Sequence, residues 1–157
     1  MNIIKNKFKV VGAVVSVCIL SACASGGDSS SQLGKCPQPR FTDKAPTQIY
    51  NLKNPVVASI ANFEAGEDLY NESAAQVACI SCHGESGNGL GAMSSMFDPP
   101  PRNFSCAKTV NGVPHDQLFW IIKNGSPGTS MPPFNKLSDE QIWQLVHYIR
   151  KLANDQS

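Results

Sequence analysis

The stretch Cys79-Ile80-Ser81-Cys82-His83 decides how this 157-residue sequence is interpreted. A C-x-x-C-H run is the covalent attachment site of a c-type haem. Two thiols three residues apart fall on one face of a helical turn, from which they can reach two vinyl groups on one edge of a porphyrin. The imidazole of His83 then becomes a ligand for the iron. The sequence therefore predicts one haem c, attached through Cys79 and Cys82.

Two other chemistries also use closely spaced cysteines. A thioredoxin-like dithiol has a C-x-x-C motif, but it needs a β-α-β setting and no histidine. No strand pattern precedes Cys79 in this sequence. A zinc site would need a second ligand pair, and none has the right spacing. Haem attachment is therefore the better interpretation.

The second chemical feature is a loop of small residues and prolines, residues 125–134, which presents Met131. A thioether is the usual sixth ligand when a haem carries electrons. Met131 follows His83 by 48 residues, which is ample chain to wrap the haem. We therefore predict Met131 as the second axial ligand of the iron.

Four other side chains are alternatives for the sixth ligand: Met93, Met96, His115 and His147. The two methionines lie close behind the haem motif and would need a tight reversal to reach the opposite face. His147 is flanked by residues of a helix face, and we expect it to be a solvent-facing or capping side chain.

Three residues outside these motifs are predicted neighbours of the haem. Pro100 and Arg102 belong to segment 98–104, whose consecutive prolines exclude a helix interior. A free carbonyl group of this segment could accept the Nδ1–H of His83 and fix its ring. Arg102 is either a charge-assisted partner of a haem propionate or a solvated surface charge. The third neighbour, Trp120, is predicted to pack in the core or the haem crevice.

The rest of the pattern is helical, and no segment is typical of a strand. We predict three further helices at residues 60–71, 114–123 and 138–152. Asn124-Gly125 is expected to end the second of these. Ser138 and Gln141 form a capping box at the start of the last. The glycine-rich residues 84–91 are expected to pass close to the haem edge, where a Cβ would obstruct the approach.

The N-terminus has the pattern of an export signal. Three lysines precede an apolar run of 11 residues, 10–20, which is too short to span a bilayer comfortably. This arrangement is typical of a secretory signal peptide. An ordinary signal peptide would be cut near residue 22 or 24 and would leave Cys23 as a free thiol.

The sequence Leu20-Ser21-Ala22-Cys23 resembles the lipobox of bacterial lipoproteins. In that family the peptide is cut before the cysteine, which then carries lipid. The resemblance implies a signal peptide at residues 1–22 and a lipid anchor at Cys23, where several acyl chains bind a membrane far better than one. Ala24 is not the aspartate that retains many lipoproteins in the inner membrane, which favours the outer membrane over the inner one.

Two segments separate this signal from the helices. Residues 23–34 are small and polar and are expected to be a flexible tether. Residues 35–59 hold four prolines and are expected to lie over the domain as an extended arm. Cys36 and Cys106 remain unassigned, and an oxidising compartment favours a disulfide between them. It would close a loop of about seventy residues and stabilise the fold by roughly 4 kcal/mol; the alternative is two unpaired buried thiols.

The charge of the chain excludes one class of partner. The precursor carries 13 basic and 12 acidic residues, a net charge of +1. Removal of residues 1–22 would take away three of the lysines and leave 10 basic residues against 12 acidic ones, a net charge of −2. With no basic stripe in the sequence, nucleic acid is not an expected partner.

Taken together, residues 60–153 resemble a class I c-type cytochrome domain, and residues 154–157 are left as a tail. The attachment motif, the ligand loop around Met131 and the capped terminal helix occur in the order of that family. The resemblance implies a small all-α bundle around one covalently bound haem, attached by a dedicated periplasmic machinery. It also implies that the first and last helices cross, with Gly66 and Tyr70 facing Leu145 and Tyr148.

The expected function follows from the occupation of both axial positions of the iron. With His83 and Met131 on the iron, no coordination position stays open for a substrate. We expect an electron carrier and not an enzyme: a monohaem cytochrome on the periplasmic side of a bacterial membrane, passing single electrons between respiratory redox proteins. The alternatives are a cytochrome subunit of a larger oxidoreductase or terminal oxidase, a haem gas sensor and a thiol oxidoreductase.

Overall fold

The computed structural model describes residues 32–39, 42–72 and 77–155. Within these ranges the chain is helical and contains no β-strand, which confirms the predicted all-α class. The α-helices are α1 (Ile60–Asn71), α2 (Cys79–His83), α3 (Ala107–Val110), α4 (His115–Asn124) and α5 (Asp139–Asn154). Short 3₁₀ turns lie at Thr47–Ile49 and Ser94–Met96. No described helix combines the length and apolar character that a membrane crossing requires.

Several predictions concern residues outside these ranges. The signal peptide at residues 1–22, the lipid anchor at Cys23 and most of the tether at residues 23–34 lie outside the described residues. The same is true of the last two residues of the predicted tail. These assignments remain predictions.

The fold is organised by the crossing of α1 and α5. A Cβ added at Gly66 would lie 2.3 Å from the carbonyl oxygen of Gln144 and 2.9 Å from the Cβ of Tyr148. Only a glycine allows the two backbones to approach so closely. One turn further along α1, the ring of Tyr70 packs against that of Tyr148 at a centroid distance of 5.3 Å. The predicted contact of the two helices is therefore present.

Helix α5 supplies much of the core. Its start is the predicted capping box, in which the Ser138 hydroxyl accepts from the backbone N–H of Gln141 and the Gln141 side chain accepts from the N–H of Ser138. Eight of its residues are buried: Ile142, Trp143, Leu145, Val146, His147, Tyr148, Ile149 and Ala153. The helix is thus enclosed on more sides than its periodicity indicates.

His147 is a correction to the sequence analysis. It is not a solvent-facing or capping side chain but is only 9% exposed. Its Nε2 donates to the backbone carbonyl of Val56 at 2.8 Å, and its ring lies edge-on to Phe63. Because Val56 belongs to the arm, the local helix pattern gave no indication of this partner.

Helix α4 begins one residue later than expected. Pro114 is its N-cap, and the helix runs from His115 to Asn124 with Gly125 as the C-cap. Leu118, Phe119 and Ile122 are buried. Helix α4 therefore presents one apolar face to the interior.

The predicted arm, residues 35–59, has one 3₁₀ turn and is otherwise irregular among its described residues. The predicted disulfide between Cys36 and Cys106 is present, with the two Cα atoms 5.4 Å apart. Helix α4 holds the arm further along: the Gln117 side chain accepts from Ala45 N–H and donates to the Asp43 carbonyl. The arm is thus fixed to the domain at several points.

Candidate haem-binding site

The short helix α2 carries both cysteines and the histidine of the motif. His83 is buried, and its Nδ1 lies 2.9 Å from the backbone carbonyl oxygen of Arg102. A carbonyl oxygen can only accept, so Nδ1 carries the proton and Nε2 keeps its lone pair. Segment 98–104 therefore supplies the carbonyl group that the sequence analysis predicted. The ring of Phe104 stacks on the imidazole at 4.1 Å and further restricts its orientation.

The two thiols of α2 do not have the properties of a catalytic dithiol. Burial raises the pKa of Cys79 to about 11 and also raises the pKa of Cys82. A thiol–disulfide oxidoreductase needs a thiolate, which a lowered pKa provides. The environment of these thiols therefore argues against the thioredoxin-like interpretation.

One large cavity brings the predicted ligands together. Its volume is about 860 Å³, and Cys79, Cys82, His83 and Met131 all line it. Apolar side chains form much of the remaining wall: Leu118, Ile121, Ile122, Leu145 and Ile149. The volume lies in the range of cofactor sites, which are mostly apolar with a few polar groups.

The loop that presents Met131 is fixed by local hydrogen bonds. The N–H of Met131 donates to the Thr129 hydroxyl at 3.2 Å, and its carbonyl accepts from Ser126 N–H at 3.3 Å. The Thr129 hydroxyl in turn donates to the Ser126 carbonyl at 2.7 Å. These bonds give the methionine a defined backbone position although the loop has no regular secondary structure.

The structure places the alternative sixth ligands elsewhere. Met93, Met96, His115 and His147 are all absent from the wall of this cavity. Met96 is 72% exposed, and the Nε2 of His147 is engaged by Val56. Among the candidates that the sequence raised, Met131 alone shares the cavity with His83.

Of the three predicted haem neighbours, two line the cavity. Pro100 is buried in its wall, and Arg102 also contributes to it. The Arg102 guanidinium donates to the Gln38 carbonyl at 2.8 Å and the Thr42 hydroxyl at 2.9 Å. It is therefore not simply a solvated surface charge, because it binds the arm.

Trp120 is a correction, since it is only partly buried and belongs neither to the cavity wall nor to the core cluster. Residues 118, 121 and 122 of α4 line the cavity, and at about 100° per residue this leaves position 120 on the other side of the helix. The expectation failed because the apolar character of a residue does not by itself identify the face of the helix that meets the cavity.

The glycine-rich residues 84–91 have a different role from the expected one. Gly84, Gly87, Gly89 and Gly91 do not line the cavity. A Cβ at Gly91 would lie 2.5 Å from the carbonyl oxygen of Ser81. The loop therefore packs against the backbone of α2 and supports the attachment helix away from the cavity.

Sequence reasoning missed two residues of the site. The hydroxyl of the buried Tyr70 donates to the Gly84 carbonyl at 2.7 Å, directly after His83, and burial strongly raises its pKa. Gln38, only 4% exposed, lies in the cavity wall and bonds to segment 98–104. Tyr70 could have been suspected from its place one turn after Gly66, but nothing in the local pattern distinguishes Gln38.

These observations fit a covalently held porphyrin. The cavity combines apolar walls with two thiols, an imidazole that is protonated on Nδ1 and a thioether. Histidine and methionine are the axial iron ligands of cytochromes c, and the two cysteines of a C-x-x-C-H motif attach the porphyrin covalently. The residues present therefore match the group that the sequence motif implies.

Comparison with known proteins gives two similarities. Residues 61–149 match the family model described as cytochrome c oxidase, cbb3-type, subunit III. The chain is also similar to a solved structure, the reducing HAO-like protein complex of Kuenenia stuttgartiensis, with 29% identity and a TM-score of 0.54. The match covers 64% of this chain and 49% of that one, so this chain spans about half the length of its structural relative. No curated protein matches.

Proposed function

Because this chain belongs to the cytochrome c oxidase, cbb3-type, subunit III family, we propose that it is a monohaem electron carrier held on the periplasmic side of a bacterial membrane. The family identifies it as a class I c-type cytochrome, an electron-transfer protein that binds haem. We propose in addition that it binds a single haem, that His83 and Met131 are the axial ligands, and that a lipid at Cys23 anchors it on the periplasmic side of a membrane.

The single observation that carries the proposal is the convergence of four side chains on one cavity. Cys79 and Cys82 would hold the haem through thioether bonds, and His83 would bind the iron through Nε2, since Nδ1 donates to Arg102. Met131 would supply the second axial ligand. When bound, the haem supplies an iron that takes up and releases a single electron.

The ligands and the cavity wall favour electron transfer over substrate chemistry. His83 and Met131 together would leave no coordination position for a substrate or a gas. The apolar wall around them excludes water, which disfavours the more highly charged ferric state and raises the reduction potential. These residues would therefore hold the iron in one environment in both of its oxidation states.

The proposed location rests on the sequence and on the disulfide. The Cys36–Cys106 bond supports an oxidising compartment, because structural disulfides persist there and are rare in the cytosol. The lipobox-like residues ending at Cys23 support a lipid anchor on the periplasmic side, and Ala24 favours the outer membrane. We propose redox proteins of this compartment as electron donor and acceptor.

A second candidate function is that of a cytochrome subunit in a larger oxidoreductase. The similar structure belongs to a protein complex, and the family description names a subunit of an oxidase. Purification from membranes in mild detergent separates the two candidates. A free carrier is recovered alone, whereas a subunit co-purifies with its complex in fixed ratio.

Potentiometric titration of the purified full-length protein, followed by absorption spectra, tests the proposed carrier. We expect one transition that fits a one-electron Nernst curve, with the spectrum of a low-spin haem c in both states. Two separate transitions would contradict a single haem. A high-spin spectrum would contradict ligation by both His83 and Met131.

A further inference from the structure

Gln38 makes an unusual set of hydrogen bonds for a residue of a surface arm. Its side-chain Oε1 accepts from the backbone N–H of Asn103 at 2.7 Å. Its Nε2 donates to the carbonyl oxygens of Pro101 at 3.3 Å and Gln32 at 2.8 Å. A buried amide satisfied on both its atoms is a rigid contact, because breaking either bond would leave a buried polar group unpaired.

These bonds enclose the residue that holds the histidine. Pro101 and Asn103 flank Arg102, whose carbonyl oxygen accepts the Nδ1–H of His83. The Arg102 guanidinium returns to the arm and donates to the Gln38 carbonyl at 2.8 Å. The peptide that orients the imidazole is thus bonded to Gln38 on its N-terminal side, on its C-terminal side and through its own side chain.

The arm itself is fixed close to Gln38. Cys36, two residues earlier, is joined covalently to Cys106. The backbone N–H of Gln38 donates to the Thr109 hydroxyl at 3.2 Å, one turn beyond that disulfide along the chain. Gln38 is therefore held by the domain at its backbone while its side chain holds residues 101–103.

We propose that Gln38 is a positioning residue for His83, acting through Arg102. It fixes residues 101–103 so that the Arg102 carbonyl faces the imidazole, and it thereby sets the strength of the Nδ1–H bond. A stronger bond makes the imidazole a more basic ligand, which favours the ferric state. The inference rests on the proposed ligation of the haem iron by His83.

The test compares two glutamine variants of the full-length holoprotein. Q38M removes the amide but keeps an unbranched side chain of similar volume, which limits repacking. Q117M is the matched control: Gln117 also makes two side-chain bonds to the arm, to Ala45 and Asp43, but none to residues 101–103. The measurements are the solvent-exchange rate of the His83 Nδ1 proton in the reduced protein by NMR, and the reduction potential.

We expect Q38M to exchange this proton at least tenfold faster than wild type and to have a more positive reduction potential. Q117M should remain within twofold of the wild-type rate. Wild-type exchange in Q38M would overturn the inference. Equal acceleration in both variants would also overturn it, because the arm would then act only as a general cover.

A second variant keeps the proposal testable if Q38M does not accumulate. Q38E retains the oxygen that accepts from Asn103 but places a carboxylate oxygen against the carbonyl oxygens of Pro101 and Gln32. We therefore expect an acceleration at least as large as in Q38M, because a buried charge would face two acceptors, and an unchanged rate would count against the proposal. Haem content and the ring-current shifts of the His83 protons are recorded in every sample. If the His83 protons of the wild-type protein show no ring-current shift, ligation by His83 is contradicted. If a variant contains haem and shows these shifts but exchanges the Nδ1 proton at the wild-type rate, only the role of Gln38 is contradicted.

Discussion

The Nδ1 of His83 and the backbone carbonyl oxygen of Arg102 are joined by a hydrogen bond of 2.9 Å. Because the acceptor is a backbone atom, the bond does not depend on the side chain at position 102. It fixes the tautomer of the imidazole and leaves Nε2 as the only nitrogen that can bind iron. One side of the proposed site is thus defined by the structure, and the other depends on Met131.

Replacing Met131 with alanine should keep the covalent haem but abolish the sulfur-to-iron absorption band in the far red. The thioether is the source of that band, and alanine has no donor atom. Met96→Ala is the matched control, because Met96 is 72% exposed and lies outside the cavity wall. A far-red band that persists in Met131→Ala would show that another residue is the ligand.

The paired substitution Cys36→Ser and Cys106→Ser should lower the free energy of unfolding. The disulfide joins residues 70 positions apart, and closing a loop of that length stabilises by about 4 kcal/mol in the chain-entropy model. Chemical denaturation of variant and wild type, both with haem, measures the loss. Wild type treated with a reductant and then alkylated is the control and should lose a similar amount. Equal unfolding midpoints in all samples would mean that the arm contributes no stability through this bond.

Gly66→Ala should destabilise the crossing of α1 and α5. The new Cβ would lie 2.3 Å from the carbonyl oxygen of Gln144, so the backbones must separate, at a cost of about 1–3 kcal/mol. Gly112→Ala is the control, since a Cβ there meets no atom within 4 Å. Thermal or chemical unfolding checks both. A Gly66→Ala protein as stable as the Gly112→Ala protein would contradict the close contact.

The free energy of unfolding should fall at alkaline pH because two tyrosine hydroxyls are buried. Burial, followed by the neighbouring Glu67, raises the pKa of Tyr148 to about 12, and burial raises that of Tyr70 further. The unfolded chain releases these protons near pH 10, while the folded chain retains them. Their contribution is therefore complete below about pH 10 and is lost as the pH rises through the folded values.

Unfolding free energies measured between pH 8 and 11.5 test this dependence. Tyr70→Phe should reduce the alkaline slope, whereas Tyr50→Phe should not, because Tyr50 is 42% exposed. Tyr70→Phe also loses the hydrogen bond to Gly84, so a lower stability at neutral pH is expected in addition. A slope that is the same in Tyr70→Phe as in wild type would refute the role of this buried hydroxyl.

Features encoded locally were predicted from the sequence. The start of α5 follows from Ser138 and Gln141, which satisfy each other's backbone N–H groups within one turn. The extent of α1 and the position of Gly125 at the end of α4 follow in the same way. The choice of Met131 over its rivals depended only on chain length and loop composition, and both are visible in the sequence.

Features that depend on the arm were not predicted. His147 was expected at the surface because its partner, Val56, lies 91 positions away along the chain. Gln38 lies between two prolines, in a segment without periodicity, so its bonds to Pro101 and Asn103 have no local signature. Trp120 was misplaced because the face of α4 that meets the cavity is decided by the packing of the whole helix. Contacts that an irregular segment makes with distant residues thus could not be predicted from the sequence.

The central claim is that a haem attached at Cys79 and Cys82 is closed on both axial sides by His83 and Met131. The most direct measurement is the absorption spectrum of the reduced full-length protein before and after addition of carbon monoxide at neutral pH. We predict the bands of a reduced haem c and no change on addition of the gas. A colourless protein, or a Soret band that shifts with carbon monoxide, would contradict the claim.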